Sequence, residues 1–134
     1  MALKTTVREM VEKANREIET VTVTDAQALV GDDNVLFVDI RDVREVDREG
    51  MIPGALHAPR GMLEFWVDPE SPYHKEVFAS GRKFVFYCAS AWRSALATKA
   101  LQDMGLDPVA HLEGGFGAWK EAGAPIAERP TKKA

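Results

Sequence analysis

Only one cysteine, Cys88, occurs in the 134 residues. That scarcity excludes an intramolecular disulfide and a cysteine-rich metal site, and it leaves any sulfur chemistry without an internal resolving thiol. Long apolar runs are missing too: although 46% of the chain is hydrophobic, no stretch approaches the roughly 18 residues of a membrane span. There is no excess of positive charge. Lys and Arg number 17 against 21 Asp and Glu, a net charge of -4, so no general attraction to nucleic acid or to an anionic membrane is expected. The N-terminus lacks a basic segment followed by an apolar core, and residues 4–19 carry Glu9, Glu12, Glu17 and Glu19, too acidic for an organelle transit peptide. The expectation is a soluble, cytoplasmic protein built as one globular domain with a sizeable core.

What is present centres on residues 84–94, Phe-Val-Phe-Tyr-Cys-Ala-Ser-Ala-Trp-Arg-Ser. The apolar run reads as a buried strand ending on Cys88, followed by small residues and a helix beginning near Arg93. The first amides of a helix have no intrahelical acceptor and carry the positive end of the helix dipole. A thiol at the strand tip faces those donors and the Arg93 guanidinium, and both favour the thiolate over a thiol whose free pKa is about 8.5. Cys88 is therefore a candidate nucleophile. The alternative is a small buried hydrophobe that continues the strand, a common role for a lone cysteine.

Around this centre the chain alternates strands and helices. Thr6 and Glu9 form a capping-box pair, and Val7, Met10, Val11, Ala14 and Ile18 recur at helical spacing. They predict an amphipathic helix within residues 1–19 that packs on the domain or, alternatively, binds a partner. Residues 21–23 predict a brief strand, and Thr24 with Gln27 the start of a short helix ending at Gly31. Residues 35–40 predict a buried strand whose end carries Asp39, followed by Arg41; a buried carboxylate needs a partner, and a structural ion pair is the simpler reading than catalysis. In the turn-rich stretch 50–59, His57 is expected to satisfy backbone groups rather than to donate a proton. Ser71 and Pro72 predict the cap and first residue of a helix ending near Gly81. After the Cys88 loop, Leu96, Ala97, Ala100, Leu101 and Met104 give a helix its buried face, Gly105 stops it, and residues 108–112 form a last strand. The run Gly114-Gly115-Phe116-Gly117-Ala118-Trp119 lacks the Gly-Lys-Ser/Thr ending of a phosphate loop and predicts a tight turn that seats Phe116 and Trp119 in the core. Residues 127–134 read as a solvated tail. The alternation implies an α/β fold, a mostly parallel sheet with helices on both faces. Ligands in such sheets gather at the carboxyl ends of strands near a topological switch point, and Cys88 lies at such an end.

Four segments, taken together, resemble the rhodanese homology domain of the single-domain sulfurtransferase kind over residues 20–126. They are Val38-Asp39-Ile40-Arg41; Gly50-Met51-Ile52-Pro53-Gly54-Ala55 with His57 and Pro59; residues 88–94; and residues 112–119 with Pro125. The resemblance implies a three-layer domain, with Cys88 carrying a persulfide and the loop Ala89, Ser90, Ala91, Trp92, Arg93 and Ser94 cradling it through backbone amides. It also implies a structural role for Asp39 and Arg41. Four residues separate Cys88 from Arg93, the spacing of the family's sulfurtransferases, whereas related phosphatases have five. Many family loops carry glycine where this chain has Ala91; a methyl there demands a negative φ or costs about 1 kcal/mol. Trp92 is large for a loop residue and either walls the pocket, meets a partner or simply packs. The expected reaction takes sulfane sulfur from a small anionic donor such as thiosulfate, with Arg93 and, as a second candidate, Arg60 attracting it. It passes the sulfur to an external acceptor, cyanide, a small thiol or a protein thiol, and implies neither metal nor organic cofactor. The rivals are a non-catalytic module that binds a partner through Trp92 and the N-terminal helix, and a phosphatase or arsenate reductase.

Overall fold

The computed structural model describes residues 2–130. Five strands form one parallel sheet in the order β1-β5-β4-β2-β3: β1 Glu19–Val21, β2 Val35–Asp39, β3 Leu56–His57, β4 Lys83–Tyr87 and β5 Val109–Leu112. Helices α1 Val7–Glu17, α2 Val23–Leu29, α3 Val43–Glu49, α4 Leu63–Val67, α5 Trp92–Met104 and α6 Gly115–Glu121 complete it, with two short 3-10 turns at Arg60–Met62 and Glu76–Ala79. Parallel neighbours need crossover connections, and the helices supply them on both faces, as the alternation implied. No helix among the described residues is long and apolar enough to cross a membrane.

Side chains along a strand point alternately to the two faces, and this sorts the core. Leu36, Val38, Phe84, Phe86 and Cys88 join Ala97 and Leu101 of α5 and Leu63 of α4 on one face. Phe37, Val85 and Tyr87 join Ala26 of α2 and Phe116 and Trp119 of α6 on the other. The glycine-rich run seats both aromatics in the core, at 1% and 0% exposure. β2 leads outward to β3 and β4 leads the opposite way to β5, so the reversal of direction falls between β2 and β4. Cys88 follows β4 at its carboxyl end, beside that point.

The capping box at Thr6 and Glu9 forms, and α1 lies along α5 with Val11, Ala14 and Ile18 against Ala95; Val7 and Met10 of the same stripe stay exposed. Several boundaries differ from the expectation. Helix α2 starts two residues early, because the Thr22 hydroxyl accepts the Asp25 amide at 3.1 Å and Val23 is already helical. No α-helix follows Ser71: its hydroxyl accepts the amide two residues on, Tyr73, at 3.1 Å, which closes a turn rather than capping a helix. The expected solvated tail begins as a tether. Ala127 exchanges two 2.8 Å hydrogen bonds with Met51, and Arg129 pairs with Asp47 at 2.7 Å; Lys132 and Lys133 lie outside the described residues.

Candidate active site

Helix α5 begins without a side-chain cap. Its N-cap, Ala91, is left-handed at φ 77, and no side-chain oxygen there can accept from the first turn. The sulfur of Cys88 takes that place: the Ser94 amide, third in the helix, donates to Cys88 Sγ at 3.4 Å. The helix dipole and an otherwise orphaned N–H thus converge on the thiol. Among the described residues none accepts from the amides of residues 89–93, so five more donors of the loop remain unbonded. The methyl of Ala91 stands at positive φ, so the strained alternative is the one the chain adopts.

The loop is held from below by the glycine-rich run. Phe116 and Gly117 amides donate to the carbonyls of Cys88 at 2.7 Å and Ala89 at 3.0 Å. A Cβ on Gly115, itself at φ 63, would stand 2.5 Å from the Cys88 carbonyl oxygen, a contact only glycine avoids. The function of Gly115 is therefore close approach to the loop, which the tight-turn expectation did not include.

Cys88 itself has no exposed surface, whereas Ser90, Trp92 and Arg93 at the loop's rim are exposed. The Arg93 guanidinium makes two bonds to Glu45, at 2.9 and 3.1 Å. These bonds, more than its proximity to Cys88, raise its pKa above the ordinary arginine value, and they hold the Glu45 carboxyl below the usual range. Arg93 therefore stands between a carboxylate and the thiol. The other residues are dispersed. Arg60 pairs with Glu64 at 2.9 Å and lines a cleft of about 740 Å³ beside α1 and α5 that none of residues 88–94 lines. Trp92, 43% exposed, walls a second cleft of about 390 Å³ with Asn15, Thr20, Ser90, His111 and Glu113. Asp39 and Arg41 pair through two bonds, 2.6 and 2.9 Å, and Arg41 reaches the Gly50 carbonyl at 2.7 Å. Phe116 lies 4.2 Å from the Arg41 guanidinium carbon. His57 Nε2 donates to the Arg41 carbonyl at 2.7 Å.

Three residues that sequence reasoning passed over complete the site: Glu45, His111 and Asn15. Ser94 Oγ lies 3.7 Å from Cys88 Sγ and 3.0 Å from His111 Nδ1, and His111 Nε2 lies 2.9 Å from Asn15 Oδ1. Burial alone pushes the His111 imidazole down to about 4, so it is neutral near pH 7. Its proton then sits on Nε2, facing the Asn15 oxygen, and Nδ1 accepts from Ser94. The signal was present: a lone polar residue within Val109-Ala110-His111-Leu112, an otherwise apolar buried strand, requires a partner.

A parallel α/β sheet, a cysteine at the end of its central strand and a helix starting on that cysteine's loop make up the site. The family model for the Rhodanese-like domain matches residues 22–122, and the chain belongs to that family. A solved Rhodopseudomonas palustris protein of unknown function, described as a possible tyrosine phosphatase, is 56% identical with a TM-score of 0.92 and coverage of 95% of this chain and 98% of that one. The polysulfide-sulfur transferase homodimer of Wolinella succinogenes is 29% identical, TM-score 0.66, covering 90% of this chain and 85% of the other. An uncharacterized Synechocystis protein is 36% identical over 108 residues, 81% of this chain. The chain spans 54% of that relative's length.

Proposed function

We propose that the protein is a sulfurtransferase that carries sulfane sulfur on Cys88. The Cys88 thiolate attacks the outer sulfur of a donor such as thiosulfate. The donor's S–S bond breaks, sulfite leaves with the electron pair, and Cys88 keeps the outer sulfur as a persulfide. A nucleophile, cyanide or an external thiolate, then attacks that outer sulfur; thiocyanate or a new persulfide departs and the Cys88 thiolate returns. The observation that carries this reading is the Cys88 sulfur seated against the Ser94 amide at 3.4 Å, inside a loop whose other amides are unbonded. In this reading those amides receive the persulfide anion as an oxyanion hole receives developing charge, with Arg93 as the cationic contact for the donor. The thiol has no water contact, so the donor reaches it only when rim side chains part. Ala89, Ser90, Ala91 and Trp92 between Cys88 and Arg93 make a narrow loop, which favours sulfur transfer over phosphate hydrolysis.

Mass spectrometry of the protein incubated with thiosulfate, wild type against C88S, tests the proposal. The expected result is a gain of one sulfur atom that depends on Cys88. Absence of that gain with thiosulfate and polysulfide alike, or hydrolysis of an aryl phosphate that depends on Cys88, would overturn it.

A further inference from the structure

A nucleophilic thiol with no exposed surface must still lose its proton to solvent, and while the rim is closed, before a donor enters, it has no direct contact with water. One hydrogen-bonded path leads outward. From Cys88 Sγ it runs 3.7 Å to Ser94 Oγ, then 3.0 Å to His111 Nδ1, and from Nε2 of the same ring 2.9 Å to Asn15. Asn15 is exposed on α1, and with His111 it lines the cleft of about 390 Å³, where Glu113 is the other ionisable side chain. A ring with one nitrogen inward and one at the cleft wall suits a proton relay, because it can accept at one and release at the other without becoming charged. Burial keeps this imidazole neutral near pH 7.

We propose that Ser94, His111 and Asn15 form the proton exit of Cys88, with His111 and Asn15 as positioning residues that act on the sulfur through the Ser94 hydroxyl. The proposal rests on Cys88 being the nucleophile of the preceding section. The Cys88 S–H proton passes to Ser94 Oγ, the original Ser94 hydroxyl proton passes to His111 Nδ1, and, as the Asn15 amide oxygen turns off Nε2, the Nε2 proton leaves to a water molecule in the cleft. The sulfur keeps the bonding pair as thiolate; Ser94 and His111 end neutral, and one proton has reached solvent. The new Ser94 O–H points back at the anionic sulfur, Nδ1–H now donates to Oγ, and a half-turn of the Asn15 amide offers N–H to Nε2. Every donor is therefore matched in both charge states, for the thiolate and equally for the persulfide. Helix α1, outside the residues matched by the family model, thus contributes to the sulfur chemistry.

The direct measurement is exchange of the Cys88 S–H proton with deuterated water, read by NMR as the isotope shift on the Cys88 Cβ, in wild type, S94A and H111Q. The glutamine amide keeps hydrogen bonds to both neighbours but cannot pass a proton. At least tenfold slower exchange is expected in both variants, each measured well below its own melting temperature, with added imidazole restoring the rate in a third variant, H111A. Exchange as fast in H111Q as in wild type would overturn the relay. A second readout needs no variant at this position: the nitrogen-15 shifts of His111 in the unaltered protein should move the proton from Nε2 to Nδ1 as Cys88 ionises, and should not move in C88A. The same tautomer on both sides of that ionisation also overturns it. Neither readout uses a sulfur donor, so failure to load persulfide refutes the proposed function and leaves these results standing, and the converse holds.

Discussion

Two buried polar clusters lie at the carboxyl ends of neighbouring parallel strands, and they are built on opposite principles. After β2, Asp39 and Arg41 form a closed ion pair, at 0% and 1% exposure, in which the guanidinium also donates to the Gly50 carbonyl and lies over the Phe116 ring. After β4, Cys88, Ser94 and His111 are just as buried but are joined by single bonds between neutral groups, and the series ends on an exposed residue. The first arrangement has full charges and one geometry. The second has no fixed charge, and each hydroxyl and ring nitrogen can exchange the roles of donor and acceptor. A cluster that only braces a strand end gains from the former; one that must change charge during a reaction requires the latter.

The largest effect is expected where that contrast is broken by removing one ion. D39A leaves the Arg41 charge buried and unpaired, and a loss of about 3–5 kcal/mol is expected from chemical denaturation. A loss below 1 kcal/mol would erase the distinction between the two clusters.

An intermediate effect belongs to His111. Its folded pKa, about 4, lies below the roughly 6.5 of an unfolded chain. As pH falls through that window the unfolded state takes up the proton first, so the ring's contribution to stability is intact above 6.5, declines towards 4 and is constant below it, by about 3 kcal/mol at most. Denaturation of wild type and H111Q across that range should show the extra slope in wild type alone. Equal slopes would mean that the ring is solvated and that the second cluster is not closed from water on its inner side.

The smallest effect concerns the loop. Ala91 adopts a left-handed conformation at φ 77, which an L-residue pays for by roughly 1–2 kcal/mol, while glycine there loses more chain entropy on folding, roughly 0.5–1 kcal/mol. A91G is expected to raise stability by about 0.5–1 kcal/mol, measured as a higher denaturation midpoint. A decrease would show that the methyl makes a packing contribution larger than the strain, and would sharpen the comparison by adding an apolar component to the sulfur site.

The α/β alternation, the strand ending on Cys88, the helix after it and the burial of Phe116 and Trp119 were legible because each follows from spacing within a dozen residues. The Ser71 turn was misread because a hydroxyl two residues from its donor and one three residues away look alike in sequence. The role of the glycine-rich run was half legible: the need for glycine was visible, the nearness of the Cys88 carbonyl was not.

By itself the amino-acid sequence determined the periodicities that make the helices and strands, the position of the sole thiol at a strand end, and the four residues that separate Cys88 from Arg93. Only tertiary structure decided what meets that thiol. His111 stands 17 residues from Ser94 and 96 from Asn15 along the chain, and no local pattern links them. The pairing of β4 with β5 brings His111 beside the loop, and the packing of α1 on α5 lays Asn15 over the imidazole. Hydrogen bonds act over about 3 Å in space, whatever the distance along the chain.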